Sequence, residues 1–164
     1  MEHQGSAQVL RRLVAGLVLL GALGLAIELL LLEHFDSFLQ WMPLVSLGGA
    51  LVTTTAVALR PTSWSLWLHR LVMGLTAATG VAGLYLHYGG NAALEREIEP
   101  GVEGLALAWN ALRGAVPTMA PGAMIQLGLL GLIQTWRHPA LGRREVPPGA
   151  APSARTPAQP STRE

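Results

Sequence analysis

Four stretches of the chain consist almost wholly of apolar residues, and charged residues collect in the segments between them. The stretches are residues 13–32, 42–59, 66–88 and 117–136. A helix needs about 20 apolar residues to cross roughly 30 Å of hydrocarbon. Each stretch is continuous rather than alternately apolar and polar, which favours helices over the strands of a barrel. The pattern therefore predicts an all-α, polytopic membrane protein with a four-helix transmembrane domain over residues 13–138.

The composition agrees with a membrane protein and excludes several other classes. Charged residues make up 13% of the chain, whereas average soluble domains are about 25% charged. A net charge of +1 argues against nucleic-acid binding through bulk charge. Cysteine is absent, which excludes disulfides, thiolate metal sites and cysteine nucleophiles. Every basic residue is an arginine, and with abundant Ala, Gly and Leu this suggests a GC-rich bacterial genome.

The first apolar stretch also has features of a secretory signal peptide. Arg11 and Arg12 precede it, and Gly24-Leu25-Ala26 is a passable cleavage site. The apolar run continues beyond that site to residue 32, which is long for a signal core. We therefore interpret this stretch as a retained membrane span.

The placement of arginine predicts the orientation, because cytoplasmic connections carry an excess of basic residues. Arginines lie before the first span, between the second and third, and after the fourth: Arg11, Arg12, Arg60, Arg70, Arg137, Arg143 and Arg144. The other two connections are mainly acidic. We expect a bacterial inner-membrane protein with a cytoplasmic N-terminal segment over residues 1–12. Residues 139–164, rich in Pro, Ala and small polar residues, are expected to form a disordered cytoplasmic tail.

Small residues predict that the spans pack together rather than act as separate anchors. Glycines three positions apart occur in three of the spans: Gly21 and Gly24, Gly80 and Gly83, and Gly128 and Gly131. Glycine lets neighbouring helix backbones approach closely. We therefore expect a compact four-helix bundle.

The connection over residues 89–116 is predicted to lie outside the membrane and to contain two short helices. Asn91 can cap a first helix that Pro100-Gly101 ends. A second helix carries a narrow apolar stripe, formed by Val102, Leu105, Trp109, Leu112 and Val116. Such a stripe is typical of an amphipathic helix on the membrane surface or on the mouth of the bundle.

Candidate metal ligands collect at the predicted outer face. His87 ends the third span, His34 follows the first at the same membrane level, and Glu95 and Glu99 share one side of the outer loop helix. Imidazole and carboxylate together suit zinc, copper, nickel or iron. The alternative is that His87 belongs to an interfacial belt and that the glutamates only solvate a loop. Met119 and Met124 are further candidates, as soft ligands for Cu(I), although methionine more often fills packing gaps.

Glu28 is the one acidic residue within a predicted span. A carboxylate inside a membrane is costly, so we expect it to face the bundle interior or water, near His34 or His87. Glu28 and His87 are therefore candidates for an ion or proton path. The alternative is that Glu28 lies only about 6 Å below the end of the span and that its carboxylate reaches the headgroups. His69 and His87, about 27 Å apart on one helix, are predicted to lie at opposite membrane borders, which disfavours haem.

No catalytic motif is present, since the chain has no GxSxG, HExxH, Walker loop or dinucleotide fingerprint. We expect a small non-catalytic membrane protein whose outer loop and His/Glu cluster contact a ligand or a membrane or periplasmic partner. We expect no cofactor other than a transition metal at that cluster. One alternative is a cation or small-solute transporter or channel subunit that uses Glu28 and His87, more plausibly as a homo-oligomer. Another is a metal-dependent membrane enzyme acting at the outer face.

Overall fold

The computed structural model describes residues 2–114, 116 and 118–142, with the backbone alone for residues 2–4. Five α-helices make up most of this part of the chain: α1 Glu2–Leu31, α2 Phe38–Leu59, α3 Ser63–Ile98, α4 Gly104–Leu112 and α5 Met119–Gln134. The described residues form no strand, and the predicted all-α class is confirmed. Most of the predicted tail, from residue 143 onward, lies outside the described residues. Its first residues, Pro139–Leu141, form a 3₁₀ turn.

Three of the helices are long and apolar enough to cross a membrane: Gly5–Leu31, Phe38–Leu59 and Ser63–Ile98. The fourth predicted span corresponds to α5, which is apolar but has only 16 residues. At 1.5 Å per residue α5 is about 24 Å long, less than the roughly 30 Å of a bilayer core. The sequence pattern therefore identified the apolar helices correctly but overestimated the length of the last one.

Helix α3 is the centre of the fold and contacts α2, α4 and α5, while α1 contacts α2 and α5. Side chains of α1, α2, α3 and α5 share one buried apolar cluster, whose fully buried members are Val18, Ala22, Leu47, Ala50 and Met73. Burial of this kind removes lipid and water from between the helices and fixes their relative positions. Residue contacts show that α1 and α5, α2 and α3, and α3 and α5 run antiparallel to each other, so these packed helices have two distinct ends.

Glycine brings the backbones of α3 and α5 into contact, as predicted. A Cβ atom on Gly80 would lie 2.6 Å from a carbonyl oxygen of α5, and one on Gly128 would lie 2.6 Å from the carbonyl oxygen of Met73. A Cβ on Gly21 would lie 2.7 Å from a leucine side chain of α5, whereas Gly24 has no neighbour within 4 Å. Glycine at three of these four positions therefore permits close helix packing.

The predicted break in the helix after the third span is wrong, because α3 continues through Gly89 and Gly90 to Ile98. The level at which this helix leaves the membrane stays a prediction. The helix has 36 residues and a length of about 54 Å, far more than a span requires. Asn91 does not cap a new helix but is buried within α3, where its amide donates to the carbonyls of Ala111 (2.9 Å) and Val116 (3.0 Å). The amide oxygen of Asn91 accepts the backbone N–H of Val116 at 3.0 Å. These bonds hold the end of α4 against the extension of α3.

Most of the predicted apolar stripe of the loop is exposed. Helix α4 buries Leu107 and Ala111 against Ala92 of α3, and Val102 of the stripe joins this cluster, whereas Leu105 is 91% exposed and Trp109 60% exposed. Only the start of the stripe, at Val102, therefore packs against α3 within the described residues. Contact of the stripe with a membrane surface stays a prediction.

Candidate functional site

The two ends of the bundle carry different chemistry. We call the end where α1 stops and α2 and α5 begin the histidine end, because His34 and His87 lie there. The opposite end, where α5 stops and α3 begins, carries Arg11 and Arg70 and is called the arginine end.

A cavity of about 230 Å³ lies at the histidine end between α1, α2, α3 and α5. Its lining is mostly apolar, and its polar side chains are those of His34, Gln40, Thr79 and His87. Ligand sites are typically apolar clefts with a few polar groups, with volumes of about 300–1,000 Å³. The cavity has this character and suits a ligand smaller than a typical drug.

Two prolines line the cavity. Pro43 lies within α2 and Pro121 within the first turn of α5, and both belong to the lining. Pro43 has no N–H to complete a helical hydrogen bond and its ring crowds the preceding turn, whereas Pro121 occupies a first-turn position whose N–H would have no helical partner in any case. Gly83 of α3 also lines the cavity and has no side chain to fill it.

The turn after α1 directs His34 towards α3. Glu33 adopts a left-handed conformation with φ of 53°, and the His34 N–H donates to the Leu29 carbonyl at 2.9 Å, while the Glu33 N–H donates to the Leu30 carbonyl at 3.1 Å. These two bonds form a Schellman motif, which ends a helix and reverses the chain. Glycine usually occupies the left-handed position, so Glu33 is strained there.

His34 and His87 meet at the edge of the cavity. Their ring centres are 6.4 Å apart with an angle of 61° between the planes. The pKa of His34 lies below its usual value, first because burial disfavours the charged imidazole and second because His87 would repel it. His34 is therefore held in its neutral form, in which an imidazole nitrogen can accept a hydrogen bond or bind a metal.

The other candidate ligands do not join this pair. Because α3 continues as a helix, Glu95 and Glu99 lie about 12 and 18 Å beyond His87 along its axis. Within the described residues, no group of three or more His, Asp or Glu side chains is close enough to hold a metal ion. The structure thus brings His34 and His87 together without the two glutamates.

Glu28 does not face the bundle interior. Its side chain is exposed on the surface of α1 and does not line the cavity. Of the two expected positions, the bundle interior is therefore wrong, and contact with water or headgroups stays a prediction. Leu25 and Leu29, one turn apart, share the buried face of α1, and Glu28 is rotated about 100° from Leu29 around the helix axis.

His69 was expected at a membrane border but is completely buried near the arginine end. Its Nε2 lies 3.1 Å from the carbonyl oxygen of Gly131 and its Nδ1 lies 3.2 Å from the hydroxyl of Thr53. A carbonyl only accepts, so Nε2–H is the donor to Gly131. His69 thereby connects α2, α3 and α5. In the sequence, the threonines in the middle of α2 were the signal that could have predicted a buried polar partner for His69.

At the arginine end, arginine side chains donate hydrogen bonds to the backbone carbonyls of the turn that follows α5. Arg70 donates to the carbonyl of Thr135 at 2.7 Å and to its hydroxyl at 3.1 Å. Arg11 donates to the carbonyls of Trp136 and Arg137 at 3.4 and 3.3 Å. Carbonyls at a helix C-terminus lack helical partners and carry partial negative charge, which cations satisfy.

His138 lies beside this cluster, and its pKa is lowered, first by burial and then by repulsion from Arg11 and Arg70. Its neutral Nδ1 accepts the backbone N–H of Ala140 at 3.2 Å. Arg11, Arg70 and His138 thus each bond to a backbone or hydroxyl group of the arginine end, whereas His34 and His87 lie at the edge of a cavity. In comparisons with known proteins, no family model, no curated protein and no solved structure matches this chain.

Proposed function

We propose that this chain is a small, non-catalytic integral membrane protein that binds a small ligand in the cavity at the histidine end. The observation that carries the proposal is the meeting of His34 and His87, 6.4 Å apart, at the edge of a mostly apolar cavity. The apolar walls accommodate the body of a ligand, and the two imidazoles supply the directional contact that gives selectivity.

The membrane arrangement that fits this function is a four-span bundle with both termini in the bacterial cytoplasm. Helix α5 packs against α1 and α3 and is therefore held at the same depth as those two longer helices. Its length of about 24 Å is short for a span, but mismatch costs only fractions of a kcal/mol per ångström and can be met by local thinning. The arginine end then faces the cytoplasm, as the excess of basic residues favours.

The outer hairpin of α3 and α4 supplies a second surface in this proposal. Leu105, Trp109 and Leu112 are exposed on one side of α4, and Arg113 stacks over the Trp109 ring at 5.5 Å. An amphipathic indole beside a cation is typical of a headgroup region. We assign this surface to the outer lipid headgroups or to a membrane partner.

The ligand proposal is tested by native mass spectrometry of the protein released from nanodiscs. We expect wild type to carry a species of defined extra mass, because the cavity concentrates a specific ligand. Ala82 of α3 lines the cavity, so Ala82→Leu should fill part of it and remove the extra mass. His87→Ala should have the same effect by removing a polar contact.

The matched control is Ala78→Leu, one turn earlier on the same helix and also exposed but outside the cavity lining. It should retain the bound species. A wild type that carries no bound species, or an Ala82→Leu variant that keeps it, would rule out the cavity as a ligand site.

A row of interior polar residues favours transport as a second candidate function. His69, Thr76 and Thr79 lie along the same side of α3 as His87, and Thr76 is fully buried. Glu28 is not part of this row. If protons or cations follow it, Thr76→Val should slow the acidification of liposomes that contain the protein, while Thr55→Val, on the exposed side of α2, should not.

A further inference from the structure

We propose that the ligand of the histidine-end cavity is Cu(I), bound by His34 and His87 with a thioether from Met42 or Met124. This inference rests on the proposed function, because it assigns the ligand of the same cavity. It differs from the sequence-based hypothesis in replacing two carboxylates by methionine sulfur.

The donor atoms around the cavity select a soft ion. Besides the two imidazoles, the lining includes the thioethers of Met42 and Met124 and no carboxylate or thiolate. The amide oxygen of Gln40 already accepts the Ser37 N–H at 3.0 Å. Thioether and imidazole together suit Cu(I), whereas calcium, magnesium and manganese require oxygen ligands.

The spacing of the imidazoles fits a single bound ion. Metal–nitrogen bonds of about 2 Å to each imidazole, with the nitrogen about 1 Å from its ring centre, place the two ring centres roughly 5 Å apart when a thioether completes a trigonal site and roughly 6 Å apart when the imidazoles are opposite each other. The observed separation is 6.4 Å. Because the rings stand at 61° to each other, one imidazole must turn about its side-chain torsions for both nitrogens to face the ion.

The four donors come from separate parts of the chain, so the bundle itself sets their positions. His34 lies on the turn after α1, Met42 on α2, His87 on α3 and Met124 on α5. Met124 is 3% exposed and belongs to the apolar core, which holds its side chain against the cavity. Rigid placement of ligands by packed helices is what a metal site requires.

The charge balance also favours a monovalent ion. Imidazole binds a metal in its uncharged form and a thioether carries no charge, and the cavity lining contains no Asp or Glu. Burying an uncompensated charge is costly, and the cost rises steeply with the charge of the ion. Cu(I) therefore suits this cavity better than a divalent ion with the same ligands.

The test is an anaerobic titration of the detergent-purified full-length protein with Cu(I), in competition with a chromogenic Cu(I) chelator. Wild type should retain about one Cu(I) per chain. His34→Ala and His87→Ala should each lower the affinity for Cu(I) by more than tenfold. Loss of a group that merely hydrogen-bonds to a metal ligand already lowers metal affinity by about 10–100-fold. Circular dichroism of each variant confirms that it is folded.

Methionine variants isolate the sulfur contribution without a large change of side-chain volume. The double variant Met42→Leu with Met124→Leu should lose affinity for Cu(I) and lose the sulfur signal in X-ray absorption. Met119→Leu is the matched control, because Met119 is on α5 but 84% exposed and outside the cavity lining. It should bind Cu(I) as wild type does.

Three results would overturn the copper assignment: no retention by wild type, equal retention by His87→Ala, or tighter binding of Zn(II) than of Cu(I). If Cu(I) is not retained but native mass spectrometry shows an organic species that Ala82→Leu removes, the copper assignment fails and the cavity remains a ligand site. If neither copper nor any other bound species is found, both proposals fail.

Discussion

The two ends of the bundle use histidine in opposite ways. At the arginine end His69 is fully buried and both ring nitrogens have protein partners, on α2 and α5. At the histidine end His34 and His87 are only partly buried and lie at the edge of a cavity. His69 therefore connects helices of the fold, whereas His34 and His87 lie beside the space in which we propose that a ligand binds.

Backbone chemistry accounts for much of this contrast. Helix α5 ends at the arginine end, where carbonyls of the turn that follows it accept hydrogen bonds from Arg11 and Arg70. At the histidine end α2 and α5 begin, and each has a proline near its start. Cations stabilise the first end, and the missing N–H of Pro43 removes one helical hydrogen bond at the second.

The largest expected difference in the free energy of unfolding is between the alanine variants of His69 and His87. His69→Ala removes a buried side chain and leaves the Thr53 hydroxyl and the Gly131 carbonyl without their histidine partner, so it should destabilise the protein by about 3 kcal/mol. His87→Ala should cost less than about 1 kcal/mol, because His87 is partly exposed. Denaturant unfolding in detergent micelles measures both values. Equal losses would contradict the division between a structural and a functional histidine.

A second comparison tests whether backbone contact holds α5 in place. Gly128→Ala should destabilise by about 2 kcal/mol, since the new Cβ would lie 2.6 Å from the Met73 carbonyl oxygen and force the helices apart. Gly122→Ala, on the same helix with no atom within 4 Å of its Cβ, should be neutral or stabilising by up to about 1 kcal/mol. Thermal unfolding followed by circular dichroism distinguishes the two. A neutral Gly128→Ala would show that the contact of α3 and α5 is looser than described.

At the histidine end a substitution is expected to increase stability, by a smaller amount than the losses above. Glu33 has a φ of 53°, which costs a residue other than glycine about 1 kcal/mol or more. Glu33→Gly should therefore raise the free energy of unfolding by about 0.5–1 kcal/mol, with part of the gain offset by the flexibility of glycine in the unfolded chain. Glu33→Ala, which keeps a Cβ, should give no such gain. A destabilised Glu33→Gly would argue that the Glu33 side chain itself supports the turn.

The smallest effect concerns pH at the arginine end. The pKa of His138 is lowered by burial and by Arg11 and Arg70, so the unfolded chain takes up this proton more readily than the folded chain. Stability from this group is then present above the ordinary histidine pKa of about 6.5 and is lost as pH falls from there through the lowered pKa of the folded state. Thermal unfolding temperatures measured between pH 7.5 and 5 should fall less for His138→Gln than for wild type. The partial exposure of His138 keeps this effect small.

The helices and their packing glycines could be predicted from local patterns. Continuous apolar runs marked α1, α2, α3 and α5, because a membrane-length apolar run has few alternatives to a helix. The close contacts at Gly80 and Gly128 followed from glycine spacing. Even the shared level of His34 and His87 followed from helix direction, since both lie at the same end of antiparallel spans.

The boundaries of the outer loop could not be predicted in this way. Two glycines before Asn91 favour a break, but the amide of Asn91 finds buried partners on α4 and Val116, and the helix continues. That continuation carries Glu95 and Glu99 away from His87. A local preference for a turn was overridden by hydrogen bonds to residues about 20 positions further along the chain.

The sequence by itself determined that the chain is helical, apolar enough for a membrane and divided into an arginine-rich and a histidine-bearing end. These properties depend on composition and on neighbours within a few residues. Only the tertiary structure decided that His69 is buried, that Glu28 is exposed, and that two methionines lie around the same cavity as His34 and His87. The physical reason is that each of these facts depends on which side of a helix meets another helix, and nearly uniform apolar helices carry little pattern to specify that side.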